Sequence, residues 1–150
     1  MVEQFVPSID QGTTSTRAII FDRRGRLAGA AQQEHKQIFP SPGWVEHDAM
    51  QIWRNTERVV PRAMAEIGIA AEQIAAVGVA NQRETFVVWD RHTGKPVRRA
   101  IVWQDTRTGH LMEDLLRDPG EDYFRDRCGI PPAVYFTAPR LAGCCSVSRS

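Results

Sequence analysis

The sequence predicts an α/β fold built on a mixed sheet, and two observations carry that reading. The apolar pattern changes period several times along the chain, from alternation to a spacing of three or four and back. The first three strand candidates are joined by short turn-rich links, the pattern of antiparallel neighbours. At 150 residues the chain fits one domain, a size that buries about 68–70% of the surface its unfolded form exposes.

The elements follow in order. "QFVPSI" and "TRAIIF" are strands separated by the turn "DQGTTS", and "DRRGR" leads through Gly25 to a third, "LAGAAQQEH". Pro7 cannot donate a ladder hydrogen bond, so its position is expected to face away from a partner or lie in a bulge. "FPSPGWVEH" reads as loop. Asp48 then caps a helix, with Gln51 three residues on in a capping-box-like arrangement. Ile52, Trp53, Thr56, Val59, Val60, Ala63, Met64 and Ile67 form one apolar stripe, so the helix is expected to reach about Gly68. Pro61 inside it predicts a kink near residues 57 to 61, since a mid-helix proline costs roughly 3 kcal/mol. "IAAVGVA" reads as a buried strand, "TFVVWD" and "AIVW" as two more, with "RHTGKP" the turn after the first of these. Helices are expected from Thr108 to Arg117 and from Glu121 to Cys128, the second stopped by Gly129 with Pro131 and Pro132 beyond.

Composition excludes several function classes. The 19 Lys and Arg nearly balance 18 Asp and Glu, leaving a net charge of +1, and no basic stretch is interleaved with aromatics, so nucleic acid is not an expected partner. The apolar runs fall far short of the ~20 residues a bilayer crossing needs, and "MVEQ" lacks the positive start of a secretion signal. No membrane partner and a cytoplasmic location are therefore expected. Cys128, Cys144 and Cys145 make neither a CxxC pair nor an even set, which reads as reduced free thiols. His35, His47, His92 and His110 show no ligand spacing and read as surface or loop residues.

The turn "DQGTTSTR" concentrates what a polyphosphate needs. Gly12 permits close backbone approach, Thr13, Thr14, Ser15 and Thr16 offer hydroxyl and amide donors, Arg17 adds charge, and Asp10 is placed to hold a metal ion through water. A hydroxyl-rich hairpin turn has the same composition for purely local reasons, so composition alone does not decide between them. The stretch is neither a Walker loop nor a GxGxxG fingerprint.

Taken together, "IDQGTTSTRAIIFD", "PGWVEHDAMQIW", "NQRETFVVWDRHTGKP" and "AIVWQDTRT", four motifs in one order, resemble the opening third of the glycerol kinases of the FGGY carbohydrate kinase family, from about Phe5 to Arg140. The resemblance implies an actin-like, ribonuclease H-like domain, the first of two that enclose ATP and a polyol. It implies that Thr13, Thr14, Ser15 and Arg17 contact the nucleotide phosphates, with Asp10 near Mg2+. It also carries the glycerol contacts to Arg83, Glu84 and Tyr135, and places Trp103 against the carbon backbone. An uncharged polyol needs both acceptors and donors, which a carboxylate and a rigid N–H fork supply. An exposed ion pair at a strand end, worth about 0–1 kcal/mol, is the bland alternative for Arg83 and Glu84, as sheet packing is for Trp103.

The implied reaction is ATP-dependent phosphorylation of glycerol to sn-glycerol 3-phosphate, by an enzyme for which a homo-oligomer is compatible. In the family the proton-accepting aspartate and the adenosine pocket belong to the later part of the chain, so no residue here is assigned as catalytic base. The expected product is thus an incomplete kinase domain over residues 1–141, inactive alone. Another polyol or sugar kinase, or a non-catalytic remnant with uncovered sheet edges, are the alternatives.

After "YFTAPRL" the resemblance predicts a helix with a Trp-Leu-Leu core, whereas the chain reads "AGCCSVSRS". Residues 142–150 lack an apolar period and are expected to be a disordered, non-family tail. A codon string GCT GGC TGC TGT encodes Ala142 to Cys145 and, read two bases later, gives TGG CTG CTG, or Trp-Leu-Leu. The expectation is a frameshift near Leu141. Nucleotide sequencing across codons 141 to 145 checks it: codons unable to give Trp-Leu-Leu in another frame rule it out.

Overall fold

The computed structural model describes residues 3–147. In chain order the elements are β1 (Val6–Gln11), β2 (Ser15–Phe21), β3 (Leu27–Glu34), β4 (Glu46–His47), α1 (Ala49–Glu66), a 3-10 turn (Ala71–Gln73), β5 (Gly78–Ala80), β6 (Ala100–Ile101), α2 (Gly109–Leu116), α3 (Gly120–Cys128) and α4 (Thr137–Val147). They fall into two compact units. The first runs to Gln37 and resumes over His47–Gln82; the second comprises Ile38–Glu46 and the residues from Arg83 on.

The first unit is a four-stranded sheet in the order β3-β2-β1-β5, with antiparallel hairpins at β1–β2 and β2–β3 and β5 parallel to β1. β2 alternates as a half-buried strand should, with Ala18 and Ile20 inward. These meet Phe5 and the Val59 and Ala63 face of α1 to form the core, flanked by Ala28, Ala31, Val60, Met64, Ile67 and Ile74. Pro7 stands opposite Ile20 in a continuous register and so lies in no bulge; the register shift is on the other side of β2, at Ile20/Phe21 against β3.

α1 starts where the sequence places it, with the Asp48 carboxylate accepting from the Met50 amide. The capping box does not form: the Gln51 side chain instead accepts from the Lys36 amide, because a tertiary donor lies within its reach. The helix ends at Glu66, and Pro61 sits inside it on an exposed position without interrupting it. Trp53 of the predicted stripe is 56% exposed, while Asn55, which the stripe omitted, is buried and donates to the carbonyls of Gln33 and Glu34. "IAAVGVA" yields only the three-residue β5, and it is exposed, with Val79 70% accessible. β5 is the edge of the sheet, so an apolar run that reads as buried has no neighbour on its outer side among the described residues.

The second unit has less regular structure. β6 carries buried Ala100 and Ile101, Met112 of α2 is buried as well, and the predicted helices appear as α2 and α3. Gly129, at φ 73, closes α3 as expected. "TFVVWD" is not a strand. It touches its antiparallel neighbour only at Phe86–Ile101 and Trp89–Pro96, and a proline with no N–H cannot extend the ladder. The intervening turn is real: the Asp90 carboxylate accepts from the amides of His92 and Thr93. The tail departs from expectation as well, because α4 runs through Ala142 to Val147. Its Gly143 lies against α2, where a Cβ would stand 3.2 Å from Thr108 Cγ2, so packing rather than periodicity supports the helix. Residues 148–150 lie outside the described residues.

Two histidines read as surface residues are buried. His47 is wholly inaccessible and His35 is 6% exposed, their rings 4.6 Å apart in an edge contact. Loop position in sequence says nothing of burial in the fold. His35 Nε2 lies 2.9 Å from the Thr13 carbonyl, and His47 Nε2 lies 2.7 Å from Gln37 Oε1. Both oxygens only accept, so each ring carries its proton on Nε2, and both Nδ1 atoms lack a partner among the described residues. A second proton, on Nδ1, would have no acceptor among the described residues. Burial, and then the neighbouring His35, push the His47 pKa down to about 4, against the pull of the Gln82 side chain; burial likewise lowers His35.

Two measurements check this packing. At Gly29 a Cβ would stand 2.8 Å from Ile67 Cγ2 and 3.1 Å from the Ala63 carbonyl, so Gly29→Ala is expected to overpack the α1–β3 contact. Its denaturant midpoint should fall by the equivalent of about 1–3 kcal/mol. For His47, the unfolded state takes up a proton below pH 6.5 whereas the fold resists it down to about 4. Stability is therefore flat above that window and falls as pH drops through it, by at most about 3 kcal/mol. Thermal melts of wild type and His47→Gln between pH 4 and 7 should differ in slope in that direction.

Candidate functional site

In the first unit the predicted phosphate turn is the hairpin between β1 and β2. Gly12 donates its amide to the Ser15 carbonyl at 2.9 Å, and a Cβ on Gly12 would stand 3.2 Å from that same oxygen, so the tight turn favours glycine. The turn carbonyls are taken from behind. Gln11 and Gln82 donate to the Gly12 carbonyl, His35 and Gln37 to that of Thr13, and the His35 amide to that of Thr14. Binding the carbonyl ends inward withdraws their negative dipoles from any anion placed at the turn.

The predicted donors differ in exposure. Thr14 is exposed and Thr13 partly so, while Ser15 is 7% exposed and accepts from Gln32 Nε2. Thr16, the other hydroxyl of the motif, is fully buried and donates to Gln11 Oε1. Arg17 is half-exposed, donates to Gln32 Oε1 and lies 3.9 Å from Asp10. Among the described residues no three His, Cys, Asp or Glu gather to hold a metal ion. A lone half-exposed carboxylate such as Asp10 suits a magnesium ion that keeps its waters and takes other ligands from a nucleotide; it does not make a protein-built cage.

The second unit holds the predicted polyol residues. Arg83, Glu84, Trp103 and Tyr135 are all exposed. No ion pair joins Arg83 to Glu84 among the described residues, so the two exposed side chains are not held to each other by a salt bridge. Glu84 has φ 63, the single positive value among described non-glycine residues. A side chain in that region costs roughly 1–2 kcal/mol, and such strain gathers at functional sites.

A buried frame that the sequence reading missed holds the backbone of two of them, Glu84 and Trp103. Arg140, 1% exposed, donates to the carbonyls of Glu84, Ile101 and Trp103. Burial lowers its pKa, against the attraction of Asp105 and Glu84. Asp105, equally buried, accepts from the Val45 amide at 2.7 Å and from Arg107, which reaches on to Glu46 and stacks on Trp44 with its guanidinium carbon 3.8 Å from the ring centre. Burial opposes the Arg107 charge, yet the Asp105 and Glu46 carboxylates outweigh it and raise the pKa. The alternating charges of "WQDTR" were the available signal for this pair. Nothing in the local sequence marks Arg140.

Comparison with known proteins bears on both units. The model of the N-terminal domain of the FGGY family of carbohydrate kinases matches residues 5–142. The chain is 58% identical over 137 residues to a glycerol kinase of Methylorubrum extorquens, covering 91% of this chain and 27% of that relative. Among solved structures it resembles Plasmodium falciparum glycerol kinase with ADP, at 30% identity and a TM-score of 0.83, covering 93% of this chain and 28% of that one. It also resembles a xylulose kinase of Brucella ovis, at 26% identity and a TM-score of 0.87, covering 97% of this chain and 30% of that one. The chain thus spans little more than a quarter of the length of these relatives. With an α/β fold and mixed sheet of the actin-like kind these kinases share, the chain belongs to the FGGY family of carbohydrate kinases, as part of its N-terminal domain.

Proposed function

We propose that this chain carries the polyol-contacting and phosphate-contacting parts of an ATP-dependent glycerol kinase, which forms sn-glycerol 3-phosphate. The carrying observation is Glu84: an exposed carboxylate held at φ 63, next in sequence to an exposed guanidinium with which no ion pair is found among the described residues. A strained acid kept apart from its neighbouring base is an acceptor and donor set awaiting a neutral ligand. Glycerol, with three hydroxyls, fits that need, and the higher sequence identity to the glycerol kinases named above than to the xylulose kinase supports it over larger sugars.

In this reading Glu84 accepts from glycerol hydroxyls, Arg83 donates to them, Tyr135 adds a phenolic contact and Trp103 packs on the carbon chain. Thr13, Thr14, Ser15 and Arg17 hold the nucleotide phosphates, and Asp10 holds Mg2+ through water. Magnesium, when bound, neutralises charge on the phosphate oxygens. The chain's own contribution is alignment, which dominates phosphoryl transfer. No residue here is given the task of removing the hydroxyl proton, and the chain alone is expected to bind without turning over.

Titrating purified chain with glycerol, followed by amide shifts in NMR, checks the reading. Binding is expected in roughly the millimolar range, equivalent to about −4 kcal/mol, with at least a tenfold loss in Glu84→Gln. Preference for a pentulose over glycerol would favour another sugar kinase of the family. Glycerol phosphorylation above blank that disappears in Glu84→Gln would overturn the inactive-alone view.

A further inference from the structure

We propose that Arg140 is a positioning residue of the polyol site, fixing the backbone of Glu84 and Trp103 relative to each other; the proposal rests on the glycerol reading above. The guanidinium is 1% exposed, and its Nη1 donates to the carbonyls of Glu84 and, at 3.3 Å, of Ile101, while Nη2 donates to that of Trp103 at 2.9 Å. The two candidate ligand-binding side chains are thus 19 residues apart in sequence, yet their peptide groups hang from the two arms of one planar fork.

Three features set this apart from ordinary packing. First, Arg140 forms no direct ion pair among the described residues, and although Asp105 and Glu84 act on it through their fields, its buried Nη groups are taken by backbone carbonyls. Its Nε is unsatisfied. Second, one of its acceptors belongs to Glu84, the strained residue at φ 63. A left-handed carboxylate residue in an exposed turn has little to hold it, and a buried donor on its carbonyl supplies the restraint. Third, the ladder around it is sparse: Phe86 and Ile101 exchange one pair of hydrogen bonds, and the Trp103 amide donates to Thr85 Oγ1 at 3.3 Å. Arg140 spans the site's two segments where regular pairing does not.

The fork is the critical chemistry. Lysine keeps charge and most of the length but offers a point donor, which reaches one carbonyl cluster or the other. The test uses the full 150-residue chain as wild type, Arg140→Lys and Arg140→Gln. Two readouts are taken: the NMR resonances and exchange rates of the Thr85 and Gln104 amides, which share peptide units with the Glu84 and Trp103 carbonyls, and the glycerol dissociation constant. In Arg140→Lys both amides are expected to shift and exchange at least tenfold faster, and glycerol binding to weaken about tenfold, while resonances of α2 and of the first unit stay in place. Arg140→Gln should show the same changes more strongly.

Unmoved Thr85 and Gln104 amides with glycerol affinity within twofold of wild type would overturn the proposal. So would resonance changes spread evenly through the second unit, or loss of its fold in Arg140→Lys, since either makes the contact merely structural. If wild type binds no glycerol, the polyol reading fails by itself, and the two amides alone then decide whether Arg140 fixes those segments.

Discussion

A loop that must keep one shape without ladder partners needs its carbonyls occupied by something buried. Backbone oxygens left to water are free to rotate away, whereas oxygens bound to desolvated donors are held by the cost of leaving those donors unsatisfied. Both candidate regions of this chain are built on that constraint. In the first unit His35, Gln37 and Gln82 donate to Gly12 and Thr13. In the second, Arg140 donates to Glu84, Ile101 and Trp103.

The two solutions differ in electrostatic character. The first disfavours charge, because burial lowers the pKa of both His35 and His47, and at His47 the neighbouring ring, in edge contact with centroids 4.6 Å apart, adds to it. A support that resists protonation suits a turn proposed to meet phosphates, since a titrating group beneath it would alter the turn with pH. The second is cationic and stands in the field of Asp105, which Arg107 shares with Glu46. That network joins the segment around Trp44 and Val45 to residues 105–107 within the second unit, so a region with little regular structure is held by charge-assisted bonds instead of strands.

Much of the first unit was legible in the sequence. Three leading strands, the Asp48 cap and the α1 face at Val59 and Ala63 follow from alternation, capping chemistry and helical spacing. These are local rules acting over a few residues, and local rules survive tertiary packing when the element is long. The short elements fared worse. "TFVVWD" has strand composition but meets Pro96, and "IAAVGVA" looks buried but ends at a sheet edge. Pairing partners distant in sequence decide both.

By itself the sequence determined the family, through four motifs in fixed order, because that fact resides in residue identity and sequence proximity; the same motifs are what nominate Arg83 and Glu84 for the proposed polyol contacts. Only the tertiary structure decided that His35 and His47 are buried where charge is disfavoured, that Glu84 sits at positive φ, and that Arg140 gathers the carbonyls of Glu84 and Trp103. Burial and strain are properties of what packs around a residue. An arginine near position 140 reads as one more surface charge until the chain closes over it.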